Sequence, residues 1–190
     1  MKPLLFFLPV IFLIVSCDHQ HEHTHDEVKE EVAELYNYDV ENRIEEMGIT
    51  LKEPAAPAGN YVNAVRTGNL VFMAGKGPGL PEGGYVTGKV GGDLSVEDGY
   101  EAAKLVAQAQ LSALKAEIGD LNKVVRIVKV LGMVNCAPDF GNQPEVINGF
   151  SDTMVDVFGE RGKHARAAVG MASLPRNIAV EIEMIVEVRD

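Results

Sequence analysis

The feature that most constrains the fold of this chain is a run of alternating residues near its C-terminus. From Ile178 to Val188, apolar side chains occupy every second position, and glutamates fill three of the positions between them. Successive side chains of a strand point to opposite faces, so this period of two predicts a β-strand with one buried face. Glu183 and Glu187 are then expected on the solvated face. The run therefore predicts the closing strand of a sheet.

A second strand-like stretch, from Ala165 to Ala172, precedes this run. Residues 173–177 lie between the two and have the composition of a turn. We therefore predict that the two strands form an antiparallel hairpin. Arg166 lies among alanines and glycine in the first of these strands, so its guanidinium has open space in which to bind a carboxylate. The alternative is a structural arginine.

Five further elements are predicted upstream of this pair. The first helix begins at the capping-box pattern of Ser95 and Asp98, and the second lies between Pro144 and Gly159. The resulting order is β-β-α-β-α-β-β, which predicts an α+β domain with two helices on one face of a sheet. The predicted bounds are 61–66, 70–74 and 124–134 for the strands, and 95–118 and 144–158 for the helices.

Four segments carry a family resemblance. ARAAV at 165–169 and SLPRNIAVEIEMI at 173–185 match one closing signature, and residues 59–75 match the opening GPYxxAVxxGNxxxxSGQ. TGKV at 87–90 matches TGxV. In these segments the chain resembles the RidA family, also called YjgF or reactive intermediate deaminase, many of whose members carry the label endoribonuclease L-PSP. The similarity covers roughly residues 49–188 in the family's order, which is more specific than any single motif.

The resemblance implies both a fold and an activity. The fold is the RidA/AroH-type chorismate-mutase-like one, a mixed sheet with two helices on one face, assembled as a homotrimer with sites in the clefts between subunits. The activity is deamination of a small 2-imino acid, in which an enamine becomes an imine, water attacks it, and a 2-keto acid and ammonia leave. No cofactor is implied. The alternative is a carboxylate-binding or assembly module without turnover.

The resemblance also implies the site residues. Arg166 falls on the position that holds the substrate carboxylate, Glu181 on that of the glutamate associated with the attacking water, and Tyr61 on that of the cleft tyrosine. Asn148 matches a family asparagine only approximately, because its spacing to Arg166 differs by one residue.

Three other substrate-binding positions depart from the family pattern. Ala74 replaces a serine, Lys76 replaces a glutamine, and Ala168 stands where many members carry a cysteine. The lost serine hydroxyl removes a hydrogen bond to the substrate, and Lys76 adds a second cation to the cleft. The identity of the substrate is therefore left open, whereas carboxylate binding is expected.

The charge of the chain excludes one class of partner. The formal net charge is −11, and no cluster of lysine or arginine is present. A protein that binds nucleic acid needs a basic face to release counterions, so nucleic acid is not expected as a partner. A Ser-His-Asp set is not expected either, because His164 is the only histidine of the predicted domain.

The first residues have the pattern of a targeting segment. An apolar run from Leu4 to Val15 is short for a membrane span and ends at Ser16-Cys17, which resembles a bacterial lipobox. We interpret Cys17 as the lipidated first residue of the mature protein, held at the cell envelope on the periplasmic or outer surface. An ordinary secretory signal peptide and an uncleaved anchor are the alternatives. The predicted division is signal peptide 1–16, tether 17–40 and domain 41–190.

The predicted tether is acidic and rich in histidine. His19, His21, His23 and His25 are weak candidates for zinc, copper or nickel ligands. Residues two apart point to opposite sides of an extended chain, so they do not form a preformed metal site. The alternative is a hydrophilic spacer, and no metal is assigned to the domain.

Replacement of Cys17 tests the lipid anchor. We expect Cys17→Ala to abolish processing at position 17 and to move the protein out of the detergent phase in a phase-partition assay, because the acylated thiol is lost. Cys136→Ala is the matched control and should partition like the wild type. Unchanged processing and partitioning of Cys17→Ala would refute the anchor.

Overall fold

Five strands and three α-helices make up the part of the chain that the computed structural model describes, residues 34–190. Their order confirms the predicted β-β-α-β-α-β-β arrangement, and one short helix precedes it. The predictions for residues 1–33, including Cys17 and the four histidines, lie outside the described residues. The elements are α1 (Val40–Glu46), β1 (Ala64–Thr67), β2 (Leu70–Lys76), α2 (Val96–Ile118), β3 (Val124–Asn135), α3 (Gln143–Phe158), β4 (Ala165–Met171) and β5 (Val180–Val188).

The alternating run forms β5, as predicted, and this strand lies in the middle of the sheet. The strand order is β1-β2-β5-β3-β4, and β5 pairs antiparallel with both β2 and β3. Its apolar positions are buried, whereas Glu183 on the other face is exposed. The five buried positions are Val180, Ile182, Met184, Val186 and Val188.

The predicted hairpin of β4 and β5 is wrong. β4 pairs with β3 in parallel, and β3 lies between β4 and β5. The reason is the crossover through α3: a strand, a helix that packs on the sheet and a second strand give a parallel pair. This places β4 at the edge of the sheet beside β3, and residues 172–179 then carry the chain past β3 to β5.

Helices α2 and α3 cover one face of the sheet. The capping box is present as predicted, with Ser95 Oγ accepting from the Asp98 backbone N–H at 3.1 Å and Asp98 Oδ2 accepting from the Ser95 backbone N–H at 2.9 Å. The two helices cross closely at Gly149 of α3, where a Cβ would overlap the backbone of Tyr100 in α2. This approach fixes the rotation of α3 and therefore the direction in which Asn148 points.

The opposite face of the sheet is not covered by any of the described residues. Val65, Phe72 and Val169 lie on it with 56%, 43% and 38% of their surface exposed. Val65 pairs with Phe72, which pairs with Ile185 of β5, so apolar side chains form a continuous row across three strands. We refer to this side of the sheet as the open face.

Two tyrosines pack on the domain upstream of the predicted boundary at residue 41. The Tyr36 hydroxyl donates to the Val124 carbonyl at 2.6 Å, and the Tyr38 hydroxyl donates to the Val157 carbonyl at 3.0 Å. The rings themselves are 5.4 Å apart. These contacts attach the chain to the domain before α1 begins.

A buried glutamine supports an irregularity in β2. The register between β2 and β5 shifts between Met73 and Lys76. Gln110 of α2 is fully buried there, and its Nε2 donates to the carbonyls of Ala74 at 2.9 Å and Ile182 at 2.7 Å. These bonds satisfy two carbonyls beside the bulge. Gln110 therefore holds in place the segment that carries Ala74 and Lys76.

Replacement of Gln110 tests this support. Gln110→Met keeps the volume but removes the donor that both carbonyls share, so we expect the free energy of unfolding to fall by about 2 kcal/mol. Urea denaturation of the full-length chain, followed by circular dichroism, measures it. Gln108→Met, on a less buried part of the same helix, should change stability little. Equal stability of both variants would show that the bulge does not need Gln110.

Candidate active site

Arg166 extends from β4 towards α3. Its Nη1 donates to Asn148 Oδ1 at 2.9 Å and to Ser151 Oγ at 3.0 Å, and its Nη2 donates to the Pro144 carbonyl at 3.4 Å. Ala168 lies two residues further along β4 and shares this face. The structure thus brings together three of the predicted site residues, Arg166, Asn148 and Ala168.

Sequence reasoning missed two residues that position Arg166. His164 Nδ1 lies 2.7 Å from the Gly162 carbonyl, to which it donates, so Nε2 accepts from the Ser151 hydroxyl at 3.1 Å. Burial lowers the pKa of His164, the Gly162 carbonyl opposes this, and the charge of Arg166 lowers it further. The neutral imidazole orients Ser151, which accepts from Arg166. Ser151 follows Asn148 on the same face of α3, and this spacing in the sequence could have identified Ser151 as a second partner of Arg166.

Glu181 lies on the open face against Gly75. A Cβ on Gly75 would overlap the Glu181 carboxylate, so only glycine allows this approach. Burial raises the pKa of Glu181, and the charge of Glu183 raises it further. A carboxyl group with a raised pKa is a suitable proton acceptor for an attacking water.

Tyr61 and Lys76 border a cavity at the end of β2. Lys76 is half-buried, its ammonium donates to Asn63 Oδ1, and burial lowers its pKa. Tyr61 is 56% exposed. The cavity has a volume of about 640 Å³ and lies between α2, residues 48–61 and residues 75–85. Ala74 is not among its lining residues, but its carbonyl is bound by Gln110.

The predicted site residues fall on opposite faces of the sheet. Arg166 is in register with Val130 and Met184, which are buried beneath the helices. Glu181 is in register with Met133, which pairs with Val169 on the open face. Because residues in register point to the same side, Arg166 and Glu181 of one chain do not face each other.

Residues 34–190 contain neither a cluster of metal ligands nor a membrane-spanning helix. Within that range, no three side chains of histidine, cysteine, aspartate or glutamate are grouped closely enough to hold a metal ion. None of the helices there combines the length and the apolar character needed to cross a bilayer.

The chain is similar to several known proteins. Residues 41–188 match the family described as "YjgF/chorismate_mutase-like, putative endoribonuclease". Protein TCP17 of Trypanosoma cruzi is 43% identical over 77% of this chain and 92% of its own length. The crystal structure of protein Atu1372 from Agrobacterium tumefaciens has a TM-score of 0.73 and 45% identity, covering 79% of this chain and 92% of that one. The 2-iminobutanoate/2-iminopropanoate deaminase of Escherichia coli K12 is 29% identical over 73% of this chain and 97% of its own.

The raised pKa of Glu181 gives a direct test of the arrangement on the open face. Glu183→Gln removes a negative charge on the same face, so we expect the pKa of Glu181 to fall towards its ordinary value. Carboxyl ¹³C NMR titration of selectively labelled protein measures it. Glu187→Gln, further along β5, is the matched control and should leave the titration unchanged. An unchanged pKa in Glu183→Gln would leave burial as the whole cause.

Proposed function

Since this chain belongs to the YjgF/RidA family, we propose that it hydrolyses a small 2-imino acid to the corresponding 2-keto acid and ammonia. The observation that carries this proposal is the hydrogen bonding of the Arg166 guanidinium. Asn148, Ser151 and Pro144 hold one side of the guanidinium. Among residues 34–190, no acceptor binds Nε–H, so Nε–H and the parallel Nη2–H can bind a carboxylate with two hydrogen bonds.

The proposed reaction requires only a group that binds the substrate carboxylate and a group that transfers a proton. Arg166 binds the substrate carboxylate and fixes the position of the imine carbon. Glu181, with its raised pKa, accepts a proton from water as the water attacks that carbon, and returns it as ammonia leaves. Tyr61 takes the position of the cleft tyrosine, as the resemblance implies, and lines the cavity to which Gly75 also contributes.

A complete site requires more than one copy of the chain. Arg166 and Glu181 point to opposite faces of the sheet, so Arg166 of one copy meets Glu181 of the next. The apolar row on the open face supports this, because exposed patches of this kind are covered in assemblies. We take the assembly to be a homotrimer, as the family resemblance implies.

The proposed location is the cell envelope. The apolar run that ends at Cys17 supports a lipid anchor, with the domain on the periplasmic or outer surface. The membrane is then a partner through the anchor alone.

A second candidate is a carboxylate-binding or assembly module without turnover. It is supported by the departures at Ala74, Lys76 and Ala168, because the serine hydroxyl and the cysteine of many members are absent. Arg166 and its partners serve equally well in binding alone. The two candidates differ in ammonia release.

Replacement of Arg166 tests the proposed function. Arg166→Lys keeps the charge and loses the two-pronged geometry, so we expect kcat/KM for ammonia release from enzymatically generated 2-iminopropanoate to fall about ten- to a hundredfold. Arg126→Lys, an exposed arginine of β3 that pairs with Glu187, is the matched control. A wild type that binds 2-oxobutanoate through Arg166 but releases no ammonia would establish the module instead.

A further inference from the structure

The cavity beside α2 is much larger than a short 2-imino acid requires. Its volume of about 640 Å³ is in the range of sites that enclose far larger ligands. Leu80, Leu105 and Ala109 contribute apolar walls. A three- or four-carbon substrate would leave most of this space to water.

The cavity is positively charged in an acidic protein. Lys52, Lys76 and Arg176 line it, against the single carboxylate of Glu53, although the chain carries a net charge of −11. None of the ion pairs formed within residues 34–190 includes any of the three cations. An anion in the cavity would supply the missing partner.

Lys76 is the cation best placed to bind this anion. It is half-buried, and its ammonium donates to the Asn63 side-chain oxygen. Partial burial of an ammonium without an opposite charge is unfavourable, and this desolvation lowers the pKa of Lys76. A carboxylate bound there would offset that cost.

Arg176, which lines the cavity, has a strained backbone conformation. Arg176 and Asn177 have φ of 55° and 58°, a left-handed conformation that asparagine tolerates but arginine seldom adopts. Asn177 Oδ1 accepts from Asn135 Nδ2 at 3.0 Å, and Asn135 Oδ1 accepts from Lys89 Nζ at 3.0 Å. This network fixes the strained turn, and strain of this kind is concentrated at functional sites.

The cavity adjoins the proposed catalytic group. Gly75 lines the cavity, and the carboxylate of Glu181 lies against the same glycine. Tyr61 also lines it. Glu181 itself does not line the cavity, and Lys76 is in register with Ile182 on the helix side of the sheet. A substrate held near Glu181 would have to pass Gly75, which carries no side chain, to reach Lys76.

We propose that this cavity is a side-chain subsite and that the substrates are 2-imino acids whose side chain ends in an anionic group such as a carboxylate. This inference rests on the proposed deaminase function. The first carboxylate binds Arg166 of a neighbouring copy, methylene groups pass the apolar wall, and the terminal carboxylate binds Lys76 with Arg176 at the rim.

Calorimetric titration of the full-length chain with three stable 2-oxo acids tests the subsite. 2-Oxohexanoate and 2-oxoadipate have the same chain length and differ in the terminal carboxylate, and 2-oxobutanoate is the short reference. We expect 2-oxoadipate to bind about tenfold more tightly than 2-oxohexanoate, the effect of one charge-assisted hydrogen bond.

Two variants locate the subsite. Lys76→Met should bring the affinity ratio of 2-oxoadipate to 2-oxohexanoate close to one. Arg176→Asn removes a rim charge with a residue that tolerates the left-handed conformation, and should reduce the ratio in a fold that is otherwise unaltered. Lys123→Met, remote from the cavity, is the matched control and should keep the wild-type ratio.

The outcomes separate the subsite from the proposed function. A wild-type ratio near one, or a ratio that persists in both variants, overturns the subsite, while ammonia release from 2-iminopropanoate would leave the deaminase function intact. If no 2-oxo acid binds and no imine is hydrolysed, the proposed function fails and the subsite fails with it.

Discussion

The two-sided character of β5 is the constraint on which the rest of this structure depends. Its apolar positions anchor the helices, and its glutamates face the side that no described residue covers. Every neighbouring strand is divided in the same way between the two faces, because residues in register share a face. Arg166 is thereby directed to α3, and Glu181 to the open face. The division explains why Arg166 and Glu181 of one chain do not face each other.

Arg166 is held by hydrogen bonds, and Glu181 lies in a close-packed position. On the helix side, Arg166 is bound by Asn148 and Ser151, with a neutral His164 behind them. On the other side, Gln110 holds the bulge of β2, and Glu181 lies against Gly75. Such preorganised side chains suit the proposed reaction, in which water, carboxylate and imine need only be brought together.

Local sequence patterns predicted the helices and strands correctly, but they predicted one strand pairing wrongly. The capping box and the alternation of β5 depend on neighbours in sequence, and both were found as expected. The predicted hairpin was wrong because the turn composition of residues 173–177 does not determine which strands pair. That pairing was decided by the packing of α3, which makes β4 return beside β3.

The sequence by itself determined the strands, the helices and the family, and it supplied the candidate site residues, because periodicity, caps and motifs depend on the local order of residues. The tertiary structure alone decided which of those residues meet. Asn148 reaches Arg166 despite its irregular spacing, Ser151 and His164 join them, and Lys76 faces a cavity lined by residues far apart in the chain. Contacts of this kind depend on register, helix rotation and a bulge. These are set by the packing of the whole core, and no short stretch of sequence encodes them.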